Sequence, residues 1–321
     1  MTFAALFAVL LLVTIPMVYV YRWRGRYRYT GVNQYVRKNW PIFAPLNCVL
    51  YLCTRKSARA AFVSEAELPT LKILRDNWQV FREEALALGA CGAFEVACTP
   101  GTPASYDVGF RTFYKRGWSR FYLKWYGYNH PSAVAACPRS VELLRQVPDV
   151  KAAMFSILKP RSELSIHADP MASSLRYHLG LVTPNSESCF INVDGESRHW
   201  VDGQGFIFDE TFMHYVRNDT DQPRLILMCD VTRPMNIFGR LFNRAYGVLA
   251  RGMMTPNTET DGRGVFSAIF ATVAPLIAAG RGMKSRKPRT YACLKWTMNV
   301  VLLAVLLGLI ALPIWLLMRL F

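Results

Sequence analysis

Apolar residues are gathered at the two ends of the chain. Thr2 to Tyr21 contains no charged residue, and about 20 residues at 1.5 Å each make a helix of about 30 Å, the thickness of a bilayer's hydrocarbon core. Arg22, Arg24, Arg26 and Arg28 follow at once. No basic residue precedes the run and no small-x-small site follows it, so the pattern predicts a retained anchor rather than a cleaved signal peptide. Trp296 to Met318 is a second such run, preceded by Lys284, Arg286, Lys287, Arg289 and Lys295. Both basic flanks face the middle of the chain, which places residues 22–295 in the cytoplasm by the positive-inside rule. Trp23, Trp40, Tyr291 and Trp296 fall where interfacial aromatics sit, although Trp40 fits a protein core equally well.

Between the two runs the periodicity changes several times. Residues 40–53 are apolar but too short to span and are broken by Pro41 and Pro45; they lie either against the membrane surface or beneath the folded domain. Val265 to Ala279, interrupted by Pro275, leaves the same choice open, with a shallow insertion as one outcome. Ile73-Leu74, Trp78, Val80-Phe81 and Ala85-Leu86 recur at helical spacing, so Glu65 to Leu88 is expected to be a packing helix. Phe110 to Tyr128 is expected to form strands, and Cys137-Pro138 to open a helix with Val141, Leu143, Leu144 and Val147 inward. Beyond Ser156 strand follows short strand. Cys189 to Val193, Asp194-Gly195 and Glu196 to Val201 read as a hairpin on a type I′ turn, and Phe206-Ile207-Phe208 as another strand. Many short strands with regular turns indicate a sandwich or barrel.

The net charge of +16 first raises nucleic acid as a partner. No nucleic-acid motif is present, however, and much of the charge flanks the membrane runs, where anionic membrane lipid is the natural partner. Arg111, Lys115, Arg116, Arg120 and Lys124 are read as a solvated face, with phosphate or carboxylate groups of a substrate as the alternative. The eight cysteines include no Cys-x-x-Cys pair, so they give no zinc signature and are expected to be reduced thiols. His130 and His199 are read as surface or structural residues.

One constellation carries chemistry. His167-Ala168-Asp169 places two ligand-type side chains two residues apart, on one face of a strand. His214 lies well downstream and Arg224 ten residues beyond it. Two imidazoles and one carboxylate on one side of an ion leave its other positions open for cosubstrate and dioxygen, the arrangement of non-haem iron(II) oxygenases. An arginine suits the far carboxylate of 2-oxoglutarate, which its planar fork matches bidentately. The loop Asn218 to Pro223 puts His214 and Arg224 on different strands. A lone His-x-Asp is common and describes a core histidine bonded to its neighbour equally well; the joint order and spacing point to a metal.

The words around these residues carry a resemblance. Phe155 to Pro160, His167-Ala168-Asp169-Pro170, Arg176-Tyr177-His178-Leu179-Gly180-Leu181 and Phe208-Asp209-Glu210-Thr211 with His214 are similar to the aspartyl/asparaginyl β-hydroxylase superfamily. Trp118 to Tyr126, Val193 to Glu196 and Cys229 to Pro234 support it, and the likeness spans roughly residues 40–240. Within the superfamily the chain looks nearest to the lipid A 2-hydroxylases of Gram-negative bacteria: the protein-modifying members carry Gly where this chain has Asp169. One departure is Arg161, where relatives usually have Gly.

The resemblance implies a mainly β fold, a double-stranded β-helix (jelly roll, cupin-like) with flanking helices and two terminal transmembrane helices. It implies iron held by His167, Asp169 and His214. The cosubstrate 2-oxoglutarate would be held by Arg224 with Ser156, Arg176 and His178. Dioxygen is consumed, and ascorbate is an optional reductant. The implied reaction is hydroxylation next to an acyl carbonyl of lipid A or its precursor, at the cytoplasmic face of a bacterial inner membrane. A membrane-tethered aspartyl/asparaginyl hydroxylase and a non-catalytic cupin-like lipid-binding module are the alternatives. The expected division is an anchor at 2–21, a basic helical region at 22–105, the dioxygenase core at 106–235, a membrane-proximal basic and apolar region at 236–290, and a second anchor at 296–318. Oligomeric state is left open.

Overall fold

The computed structural model describes residues 3–107, 109–110, 113–291, 293 and 297. The chain divides into two compact units, Met1–Ser267 and Ala268–Phe321. The first holds eleven strands among its described residues: β1 (Phe62–Val63), β2 (Trp118–Trp125), β3 (Tyr128–Asn129), β4 (Val150–Leu158), β5 (Ser162–His167), β6 (Ser174–Val182), β7 (Cys189–Val193), β8 (Glu196–His199), β9 (Gly205–Phe208), β10 (His214–Asn218) and β11 (Arg224–Thr232). Helices α1 (Phe3–Arg22), α2 (Val32–Lys38), α3 (Ala44–Cys53), α4 (Lys72–Asp76), α5 (Trp78–Ala90) and α6 (Ala93–Val96) come before β2. Between β3 and β4 lie α7 (Pro131–Ala136) and α8 (Pro138–Arg145), and α9 (Ile237–Arg251) follows β11. Helix α10 (Val265–Arg286) begins in the first unit and supplies most of what is described of the second.

The strands make two antiparallel sheets, ordered β1-β9-β6-β11-β4-β2-β3 and β5-β10-β7-β8. From β4 onward the chain winds between them: β4, β6, β9 and β11 enter the large sheet, while β5, the β7–β8 hairpin and β10 enter the small one. That winding is the double-stranded β-helix, or jelly roll. Period-two alternation explains the layers. On β11, Ile226 and Met228 face the small sheet, and Leu225, Leu227, Cys229 and Val231 face the other way. On β6, Tyr177 and Leu179 join that outer set, packed with Phe81 and Leu88 of α5 and Val141 and Leu144 of α8. Large-sheet strands covered on both faces read as near-continuous apolar runs, and each such buried side chain contributes about 1.5–3 kcal/mol.

Local chemistry accounts for the turns. Asp194 and Gly195 have φ of 53° and 91°, the two positive values that a type I′ hairpin needs. Arg161 takes the turn after β4 at φ 53°; its guanidinium bonds Asp221 at 2.9 Å. Glu84 of α5 accepts the backbone N–H groups of Arg139 and Ser140 at 3.1 and 2.8 Å, capping the positive end of α8.

Several expectations are revised. The segment expected as one helix over Glu65–Leu88 is two short 3₁₀ turns, Glu65–Glu67 and Pro69–Leu71, followed by α4 and α5, with Asn77 between the last two. Pro69 lacks the N–H that would carry a helix through it. Among the described residues of Phe110–Tyr128, strand structure starts only at Trp118, because Phe113–Arg116 is a 3₁₀ turn. Arg120 is no solvated residue: it is 2 % exposed and paired with Asp107. Residues 41–53 pack on the domain as a 3₁₀ turn and α3, whose Leu50 is buried with Ala172 and Met235. Among the described residues no helix is long and apolar enough to cross a membrane. The expected anchor at 2–21 coincides with α1, whose side chains are described in part, and the one at 296–318 lies outside the described residues apart from Thr297.

Gly180 supplies a stability test. A Cβ there would collide with the backbone carbonyl of Val201, which cannot swing aside as a side chain can. Gly180→Ala is expected to cost about 1–3 kcal/mol, read as a lower urea midpoint with an unchanged slope.

Candidate active site

The site is built where the small sheet's edge strand β5 meets its neighbour β10. His167 ends β5 and His214 begins β10, and the two are register partners. Their ring centroids are 4.4 Å apart. Asp169 lies beyond the end of β5 rather than on it, tied in place by its N–H, which donates to the Glu210 carbonyl at 2.8 Å. Ligand atoms of His167, Asp169 and His214 all lie within 4.8 Å of one another.

The hydrogen bonds decide the tautomers. Nδ1 of His167 is 2.7 Å from the Ser165 carbonyl, and Nδ1 of His214 is 2.9 Å from that of Phe212. A carbonyl only accepts, so each Nδ1 carries its proton and each Nε2 keeps a free lone pair, as metal-ligating histidines require. Burial, aided by the neighbouring His167, pushes the His214 imidazole down to about 4, so it is neutral near pH 7. These residues fit a divalent metal of the iron(II) class.

Around the trio the buried charges are unevenly matched. Arg176 reaches Asp169 at 3.0 Å and Asp230 at 3.0 Å, and contacts Glu210 as well. Three carboxylates surround one guanidinium. Burial opposes the charge on Asp169, yet Arg176 and the two histidines hold its carboxyl below the usual range. The surplus is relieved at Glu210, which burial together with Asp230 and Asp169 pushes up to about 8 against the pull of Arg176.

Arg224 is the opposite case. It is 2 % exposed, and no carboxylate among the described residues pairs with it. Its guanidinium lies 4.4 Å from the Trp200 ring and donates to Ser156 Oγ at 3.4 Å; its Nε has no partner. Burial pushes its pKa down to about 10, so the charge is retained at neutral pH. Beside it the Trp200 indole donates to His178 Nδ1 at 3.3 Å. The proton therefore sits on His178 Nε2, which has no acceptor among the described residues. Burial, with Arg224 and Arg176 near, holds that imidazole well below its usual range and neutral.

One cavity joins these groups. His167, Asp169, Arg176, His178, Glu210, His214 and Arg224 line it, with Phe113, Ile191, Phe208 and Met228 among its apolar walls. Six of the seven residues singled out from sequence are thus brought together. Ser156 is fully buried behind Arg224 and is not among the lining residues. Arg176 lines the cavity but is committed to carboxylates, so it positions Asp169 rather than offering a free fork. Sequence reasoning missed Glu210, Asp230 and Trp200. Asp230 was the most readable of the three, because it pairs in register with Arg176 and shares a strand face with Met228 and Ile226.

A jelly roll with two histidines and a carboxylate at one cavity defines the class of metal-dependent oxygenases to which the site conforms. Residues 75–234 match the family model of aspartyl/asparaginyl beta-hydroxylase, and this stretch is a domain of that family. Over 134 residues the chain is 34% identical to an ornithine lipid ester-linked acyl 2-hydroxylase of Rhizobium tropici, covering 41% of this chain and 48% of the relative. It is 32% identical over 169 residues to the aspartyl/asparaginyl beta-hydroxylase of Homo sapiens, covering 51% of this chain and 21% of that protein. The chain thus spans less than half the length of these relatives. Among solved structures, a prolyl-4-hydroxylase of Pseudomonas putida matches 58% of this chain and 99% of its own at 16% identity and a TM-score of 0.36.

The unequal charge matching predicts unequal mutants. Arg176→Met strands three buried carboxyl groups and is expected to cost about 3–5 kcal/mol, whereas Arg224→Met removes an unpaired buried charge and should stabilise the metal-free protein, by about 1–4 kcal/mol. Urea unfolding of the metal-free protein distinguishes the two.

Proposed function

We propose that the protein is an iron(II)- and 2-oxoglutarate-dependent hydroxylase whose substrate is an acyl lipid. One observation carries the reading: Arg224, a buried cation without a carboxylate partner among the described residues, lines the same cavity as His167, Asp169 and His214. An unpaired buried charge costs several kcal/mol, and a cosubstrate carboxylate would offset that cost. His167, Asp169 and His214 would hold the metal, which when bound supplies oxygen activation coupled to oxidation of 2-oxoglutarate.

The remaining roles belong to the chain's own groups. Arg224 binds the far carboxylate of 2-oxoglutarate, oriented by Ser156 Oγ and the Trp200 face. His178 donates its Nε2 proton toward the same anion. Arg176 holds Asp169 in its ligating position, and the apolar walls exclude water. The finer substrate reading is hydroxylation at the 2-position of a secondary acyl chain of lipid A or its precursor. It is supported by the acyl 2-hydroxylase of Rhizobium tropici as a relative and by Asp169. The cytoplasmic face of a bacterial inner membrane, with anchors at 2–21 and 296–318, is proposed from the sequence alone, from its uncharged runs and their inward basic flanks. The match to the human aspartyl/asparaginyl hydroxylase keeps a second reading, oxidation of Asp or Asn in a peptide.

Two measurements check this. Arg224→Met is expected to weaken 2-oxoglutarate binding by about 100-fold or more while manganese(II) binding at the trio is retained; loss of both would remove Arg224 from the cosubstrate role. Mass spectrometry of lipid A from cells with and without the gene should show one added oxygen on a secondary acyl chain, absent with His167→Ala. Unchanged lipid A with the protein well expressed, and oxidised Asp or Asn in a peptide incubated with it, would favour the second reading.

A further inference from the structure

Helix α9 follows the jelly roll's last strand. Asn236 caps it, its side-chain oxygen accepting the Gly239 N–H at 3.1 Å. One face of the helix packs on the domain: Phe242 lies against Leu50, Ala172 and Met235, Tyr246 meets Tyr126, Gly239 and Ala250 are buried, and Asn243 donates to the Ser173 carbonyl at 2.7 Å. Five other large apolar side chains face outward. Ile237, Phe238, Leu241, Val248 and Leu249 are 61, 74, 63, 67 and 60 % exposed, and at 100° per residue they share an arc of about 120°.

The charge on α9 has one sign. The helix contains no acidic residue, and Arg240, Arg244 and Arg251 lie along one border of the apolar arc, all exposed. Arg240 and Arg244 form no ion pair with the described residues. Helix α3 is a neighbour of α9, with Gly239 against Cys53, and it presents Val49 and Leu52 at 55 and 74 % exposure. Single exposed apolar residues are ordinary, but several large ones gathered on one helix arc, with more on a neighbouring helix, mark an interaction surface.

The chemistry selects the partner. An apolar arc bordered by arginines is the form of a helix lying in a membrane interface, its apolar side chains among acyl tails and its cations on headgroup phosphates. A second copy of the chain fits poorly, because two α9 helices face to face would bring arginines together with no acid on either helix. We propose that α9, with the exposed end of α3, docks the domain on an anionic bilayer surface. This stands whether or not the catalytic reading holds.

The test uses the full chain in bilayer discs of phosphatidylglycerol or phosphatidylcholine, with the photo-reactive residue p-benzoylphenylalanine in place of Phe238. Illumination is expected to give a phosphatidylglycerol adduct there, and none when the same residue replaces the exposed Val134. The double substitution Arg240→Glu and Arg244→Glu should lower the adduct yield about tenfold or more without shifting the melting temperature, since both side chains are exposed. A cross-linked band at twice the chain's mass, a link within the chain, no lipid adduct, or a yield indifferent to the two arginines would each overturn the proposal.

Discussion

A charge taken out of water costs several kcal/mol unless an opposite charge meets it, and this constraint organises the interior of the jelly roll. Arg120 meets Asp107, and Arg233 forms a two-pronged pair with Asp209 that Arg24 joins from the N-terminal segment. Around the candidate site the matching breaks down in two opposite senses. Arg176 is outnumbered by Asp169, Glu210 and Asp230, while Arg224 has no carboxylate partner among the described residues. The cavity is therefore short of positive charge at its histidine end and short of negative charge at its arginine end. A divalent metal with a dicarboxylate cosubstrate would correct both deficits at once. Either alone would leave one standing.

Much of this was legible in the sequence because it follows from period and order. The Asp-Gly hairpin, the strand pair carrying His167 and His214, and the placing of Arg224 on a separate strand all depend on local rules that survive folding. What could not be read depends on contacts between distant segments. Asp169, past the end of β5, is tied down by the Glu210 carbonyl, which receives its N–H from far along the chain. The division of Arg176 from Arg224, one saturated and one free, follows from which acids the sheets bring alongside, and no spacing along the chain announces it. Residues 65–88 mislead for the complementary reason: their apolar side chains keep helical spacing on average, but Pro69 and Asn77 interrupt the backbone without disturbing the pattern.

The least legible feature is how the N-terminal segment is built into the site. The Lys38 carbonyl accepts the N–H of Ala168 at 2.8 Å, next to both His167 and Asp169. Asn47 clasps the following loop, donating to the Pro170 carbonyl and accepting from the Ala172 N–H, each at 2.9 Å. On the other side, Arg24 and Tyr51 bond to Thr211 within the turn that leads into His214, and β1 adds a strand beside β9. Every loop that positions a proposed metal ligand is thus closed by a residue between 24 and 63. These same residues connect to α1 and α3, the helices with large exposed apolar side chains such as Leu12 and Leu52. Contact of those helices with a lipid surface would be transmitted to the ligand loops through single hydrogen bonds rather than across a flexible linker. If both proposals hold, surface attachment and metal holding would be parts of one structure, and a change at either end would be felt at the other.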